Sequence, residues 1–244
     1  MREEIGLLRF FISVGADAMF SDTPVSLYNV VEKPKIQAQP PQPLAAVSVS
    51  AATEEAENLA AACTNPAEIT KALETFSACP LRKFAGSAIG GIGAPAPKVL
   101  VLTEAPSSAD DATGNAYSDD SGELLRRMLA RANLSLDTDT FALPSIAYRP
   151  PGGRPPTDEE IATLKPFLLR HIELLKPRAI FALGQLPARM LLATDEPMAN
   201  LRGHWSEAAG TPLMPTFSLA QLLANPEARK ATWEDLQQVL DKII

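Results

Sequence analysis

Cysteine and histidine are scarce in this 244-residue chain, with two of each. Cys63 and Cys79 form no Cys-x-x-Cys pair, which excludes a disulfide framework and points to a reducing compartment. No stretch approaches the roughly 20 consecutive apolar residues that a transmembrane helix requires, so no membrane association is expected. The opening MREEIGLLRFFISVGADAMF puts Glu3 and Glu4 ahead of a short apolar run. It lacks the basic start and small-residue cleavage site of a secretory signal, and a cytoplasmic location is expected. Gly90-Gly91-Ile92-Gly93 lacks the Gly-Lys-Ser/Thr ending of a phosphate loop and precedes a strand, so it reads as a flexible turn. Positive charge is in deficit too: 22 Lys and Arg against 29 Asp and Glu give a net charge of -7. That excludes a broadly basic nucleic-acid binder, because non-specific affinity comes from neutralising phosphates. A local basic stripe on an acidic remainder stays compatible with DNA.

What is present describes a soluble globular chain, 46% hydrophobic and 21% charged, long enough for one α/β domain and an appendage. Residues 1–32 hold an amphipathic helix with Ile5, Leu8, Phe11 and Ile12 on one side, which packs on the main domain or docks a protein partner. Residues 33–52 are rich in Pro, Gln and Ala and read as an extended linker. The domain proper spans 53–244. Two helices come first, the second opened by Asn65 and Pro66 as cap and first-turn proline. Apolar runs at Lys98–Thr103, Thr140–Ala147, Arg178–Leu183 and Thr211–Phe217 then alternate with helical patterns. Thr157-Asp-Glu-Glu160 is a capping box that starts a long helix. Strands alternating with helices imply a three-layer α/β/α domain with a short central parallel sheet. Ligands of such sheets bind at the carboxyl ends of the strands, which directs attention to the loops after Leu102, Ala147, Leu183 and Thr216.

Those loops carry five short patterns in order. They are Thr103-Glu104-Ala105-Pro106-Ser107 with Tyr117 and Gly122-Glu123-Leu124-Leu125; Arg149-Pro-Pro-Gly-Gly-Arg154; Ala182-Leu183-Gly184; Leu201-Arg202-Gly203-His204-Trp205; and Met214-Pro215-Thr216-Phe217-Ser218 with Leu222 and Leu223. Together they resemble the family 4 uracil-DNA glycosylases over about two-thirds of the chain, from Cys79 onward. The resemblance implies a glycosylase fold and a base-excision activity on a nucleotide flipped out of DNA. It implies that Glu104 and Ser218 occupy catalytic positions, and that Ala105, Pro106, Asp110 and Tyr117 line the base pocket. Arg149, Arg154, Arg202, His204 and Leu222 then fall at DNA-contacting positions. Several family residues differ here. Tyr117 replaces a stacking Phe, Pro144 stands where an Asn reads uracil, and Ser218 stands where a His stabilises the departing base.

The family also holds a [4Fe–4S] cluster on four cysteines. The matching positions are Phe76, Cys79, Tyr148 and Leu164, so no cofactor is expected. Glu104 keeps two readings open, an active-site carboxylate or the cap of a turn. Asp110, Asp111, Asp119 and Asp120 read as a solvated loop that favours the next helix start, against a metal site. His171 reads as a surface or edge histidine. Three functions stay open: a glycosylase for uracil or another damaged base, a non-catalytic DNA-binding relative, and a protein-interaction relative. A monomer is expected in each case.

Overall fold

The computed structural model describes residues 49–243. The expected N-terminal helix, its suggested protein partner and most of the expected linker lie outside them. Helix α1 (Val49–Ala62) already begins within the span assigned to the linker. Helix α2 (Pro66–Thr75) follows, with the Asn65 side chain accepting from the amide of Glu68 as anticipated. A single mixed sheet then forms from β1 (Ile92–Gly93), β2 (Val99–Thr103), β3 (Thr140–Pro144), β4 (Ala179–Leu183), β5 (Ser206–Ala208) and β6 (Thr211–Thr216). Its order is β1-β3-β2-β4-β6-β5. The four central strands are parallel, and the two edge strands run antiparallel to their neighbours.

The remaining helices are α3 (Ser108–Thr113), α4 (Asp120–Arg131), α5 (Asp158–Leu175), α6 (Gln185–Leu192), α7 (Met198–Leu201), α8 (Leu219–Ala224) and α9 (Pro226–Ile243). The two-residue period of the strands divides their side chains between two cores. Leu100, Leu102, Ile180 and Ala182 face α1, α2 and α5. Val99, Val101, Phe181 and Leu183 face α4, α8 and α9. This is the expected three-layer arrangement. All five residues of β2, β3 and β4 are buried, which is why those strands read as unbroken apolar runs.

The edge strands were not anticipated, and one of them corrects the reading of a flexible turn. Ile92 and Gly93 pair with Ala142 and Phe141. Gly91 and Gly93 are required by close approach: a Cβ at Gly91 would lie 2.2 Å from the Phe141 ring, and one at Gly93 2.3 Å from the Thr140 carbonyl oxygen. At the other edge, Ala209 and Gly210 both take positive φ between the paired residues Ala208 and Thr211. That two-residue hairpin matches the strand twist despite lacking the usual Asn-Gly signature.

A buried polar network ties α9 to the end of β6. Asp235 is fully buried, and its carboxylate accepts from Arg202 Nε at 3.1 Å and Nη2 at 2.7 Å. The Thr216 hydroxyl donates to the same carboxylate and lies 3.0 Å from the Thr232 hydroxyl. Arg202 completes the clamp by donating to the Ala231 carbonyl at 2.8 Å. Removing one partner of such a pair leaves charge and hydroxyl groups without compensation. Asp235→Ala is therefore expected to lower the unfolding free energy by about 3 kcal/mol in urea titrations. A loss below about 1 kcal/mol would show the network to be dispensable.

Candidate functional site

Four parallel strands end on one side of the sheet, and their loops form two clefts that share a wall. The wall is Glu104-Ala105-Pro106, directly after β2. One cleft, of about 240 Å³, is lined by Thr103, Glu104, Asp110, Tyr117, Pro144 and Leu219, among others. The other, of about 390 Å³, is lined by Glu104, Arg149, Arg154, Gln185, Arg189 and neighbouring prolines.

Glu104 owes its position to a glycine. Gly184 takes φ +124°, and a Cβ there would come within 2.0 Å of the Glu104 Oε1 atom. The absent side chain lets the carboxylate settle at the start of α6, where the Leu186 amide donates to Oε1 at 3.4 Å. Burial holds the Glu104 carboxyl above its ordinary value of 4.5, opposed by the amides of Leu186 and Gln185. Glu104 thus meets a helix start and lines both clefts. The signal was present in Ala-Leu-Gly, but the need for glycine appears only in three dimensions.

Tyr117 forms part of the smaller cleft with little freedom to move. It is buried, sits at φ +60°, and its hydroxyl lies 3.1 Å from the Thr103 hydroxyl. Burial pushes its phenol well above the usual range. Gly122 allows the tight fold-back, because a Cβ there would lie 2.1 Å from the Tyr117 carbonyl oxygen. Asp110 departs from the expected solvated loop. It is buried, completes the capping box with Ser107 at the start of α3, and accepts from the Ser118 amide at 2.7 Å. Asp119 caps α4 through the Ser121 and Gly122 amides, and Asp111 accepts from the Gly86 amide at 2.9 Å. Among the described residues no cluster of His, Cys, Asp and Glu is suited to a metal ion.

Several positions drawn from the resemblance turn inward. Ser218 caps α8: its hydroxyl accepts from the Gln221 amide at 3.3 Å and donates to Gln221 Oε1 at 3.2 Å. The hydroxyl is committed to the helix start. Arg202 is held by Asp235 through its bidentate pair and acts as a clamp within the fold. Leu222 is 2% exposed and belongs to the core, whereas Leu223 beside it is 41% exposed. The helical period separates the two neighbours. Arg154 donates to both oxygens of Glu160, at 2.9 and 2.6 Å, while its side chain remains partly open to solvent. Glu160 also closes the expected capping box with Thr157. Arg149 has no hydrogen bond to a described side chain or carbonyl, and His204 is exposed. Arg189 joins the larger cleft through its pairing with Asp158 and Asp195; no sequence pattern flagged it. His171 is corrected from an edge position to the core: it is 3% exposed, Nδ1 lies 2.8 Å from the Phe167 carbonyl oxygen, and burial lowers its pKa to about 4.

The donor set for an iron–sulfur cluster does not fit. Phe76, Cys79, Tyr148 and Leu164 are all buried in one apolar core. Phe76 packs edge-on to Phe167 with ring centroids 5.3 Å apart, and the Tyr148 hydroxyl donates to the Leu73 carbonyl at the end of α2. Cys79 is the lone thiol of the four, and burial pushes its pKa up to about 11. Packing occupies the space, and the one sulfur present is held in its protonated form.

The profile of the "Uracil DNA glycosylase superfamily" matches residues 91–237. A type-4 uracil-DNA glycosylase of Pyrobaculum aerophilum is 31% identical over 166 residues, covering 65% of this chain and 84% of that protein. A type-4 uracil-DNA glycosylase of Saccharolobus solfataricus is 30% identical over 173 residues, covering 68% and 80% respectively. One from Thermotoga maritima is 28% identical over 176 residues, covering 70% and 90%.

Two measurements follow from this geometry. Because the Glu104 carboxyl titrates higher in the folded chain than unfolded, its contribution to stability is fully present below pH 4.5 and is lost as the pH rises through the raised folded value. Glu104→Gln, which keeps an acceptor for Leu186, is expected to melt at a higher temperature than the parent at pH 7.5. The difference should vanish near pH 4, and a gap that stays constant across the range would refute the burial argument. Separately, protein purified without air from iron-rich medium is expected to carry no stoichiometric iron. Its melting temperature should not respond to a chelator; a drop on chelation would show that a metal supports the fold.

Proposed function

The chain belongs to the uracil-DNA glycosylase superfamily, and from that premise we propose that it is a monofunctional base-excision glycosylase acting on DNA as a monomer in the cytoplasm. The observation that carries this reading is the half-buried Glu104 carboxylate on the wall between a base-sized cleft and an arginine-lined cleft. A nucleotide flipped from the duplex enters the smaller cleft, where Tyr117, Ala105, Pro106 and Pro144 bound the base. The bond between the base and C1′ breaks as positive charge develops on the sugar. Glu104, already short of water, stabilises that charge electrostatically and orients the incoming water. Asp110 supports the pocket wall by holding the Ser107 and Ser118 amides.

Arg149 and Arg154 supply the positive side of the larger cleft, and the exposed His204 extends the contact with phosphates. Leu223, in place of Leu222, is the apolar side chain available to press into the duplex beside the flipped nucleotide. Uracil is a poor fit for this pocket. Pro144 offers its polar edge no side-chain donor, and the Ser218 hydroxyl already donates to Gln221. Those same two residues favour, as a second reading, a protein that binds flipped or abasic nucleotides without cleaving them.

Base release from single- and double-stranded oligonucleotides decides between the two. The parent protein is expected to release base slowly from uracil-containing strands, and Glu104→Gln to lose roughly 100-fold or more in rate, as for removal of a transition-state electrostatic contact. Arg149→Ala is expected to raise the DNA concentration needed for half-maximal rate without changing the maximum. No release at enzyme excess, together with tight binding of abasic DNA, would sink the enzymatic reading in favour of the second.

A further inference from the structure

The charge of the smaller cleft points away from uracil as its preferred base. Three carboxylates, Glu104, Asp110 and Asp119, line it, and no Lys, Arg or His does. Arg126 reaches the region from behind, but its guanidinium donates to the Tyr117 carbonyl at 3.2 Å and takes no part in the lining. Helix starts usually bring positive partial charge to such a place. Here that partial charge is offset by capping side chains: Ser107 and Asp110 at the start of α3, Asp119 at α4, and Ser218 and Gln221 at α8 each accept from amides there. The lining therefore offers an anion no cationic side chain.

Uracil leaves its sugar as an anion, so this cleft opposes the departure it would have to assist. A base bearing a fixed positive charge behaves in the opposite way. When its bond to C1′ breaks, the electron pair of that bond neutralises the ring, and the leaving group is neutral. Resting on the reading of this site as a glycosylase pocket, we propose that its preferred substrate is a cationic N-alkylated purine nucleotide in DNA, such as 7-methylguanine or 3-methyladenine. The carboxylates attract the charged base, and a cleft of about 240 Å³ admits a bicyclic ring as well as a pyrimidine. The step balances without further reagents. The C1′–N bond breaks with its electrons going to the base, the water oxygen bonds to C1′, and the water's proton passes to the Glu104 carboxylate and on to solvent.

Glu104 fits this role on independent grounds. Its carboxyl is held in a place that disfavours the ionised form, and an adjacent cation would relieve that penalty. Pro144, a loss for uracil recognition, is neutral toward a base selected by charge.

The test is release of methylated bases, identified by chromatography, from dimethyl sulfate-treated duplex DNA, beside release of uracil from a matched duplex. The expected result is that 7-methylguanine or 3-methyladenine is released at least about tenfold faster than uracil at equal lesion concentration, and that Glu104→Gln abolishes the preference. Uracil released as fast as or faster than the methylated bases would overturn the inference and leave the glycosylase reading standing. Release of neither base, by protein confirmed folded by its melting transition, would overturn both.

Discussion

The missing side chain of Gly184 is the constraint on which the site depends. A residue with a Cβ at the start of α6 would collide with Glu104 at 2.0 Å, forcing either the carboxylate or the helix away. With glycine there, β4 runs into α6 by a left-handed turn, and the acid at the end of the adjacent strand β2 lies across the helix start. That single approach creates the wall between the two clefts. It also draws Glu104 partly out of water while granting it only the amides at the start of α6 as partners, the condition that leaves its charge available to a ligand.

Much of the fold was legible in the sequence because buried parallel strands leave an unmistakable trace. Val99–Thr103 and Ala179–Leu183 are apolar on both faces, and the capped starts at Asn65 and Thr157 carry their own chemistry. The edge strands escaped because each is two or three residues long and is defined by its partner. Gly93 is a strand residue only because Phe141 lies beside it. The site divided along similar lines. Glu104 and Tyr117 were found through the order of motifs. That Ser218 faces its own helix, that Arg202 is bound to Asp235, and that Leu223 and not Leu222 faces solvent are properties of orientation, which motif matching does not resolve.

The core beneath the Arg149 loop fills by packing the positions at which the resemblance would place cluster ligands. A metal cluster fastens chain segments through a few strong bonds, whereas Phe76, Tyr148 and Leu164 do so through many weak contacts and one buried hydroxyl. The Tyr148 hydroxyl ties the loop that bears Arg149 to the end of α2, so the basic cleft is still anchored to the helical layer. The burial of Cys79 accords with this, since a deeply protonated thiol contributes volume and not coordination.

The capping role of Ser218 sets a cost on any other side chain at that position. Replacing Ser218 with the histidine that its resemblance calls for would remove the Ser218–Gln221 capping box at the start of α8, at a cost of about 1 kcal/mol. An exchange of Ser218 for histidine therefore runs uphill in folding before any benefit at the cleft can appear.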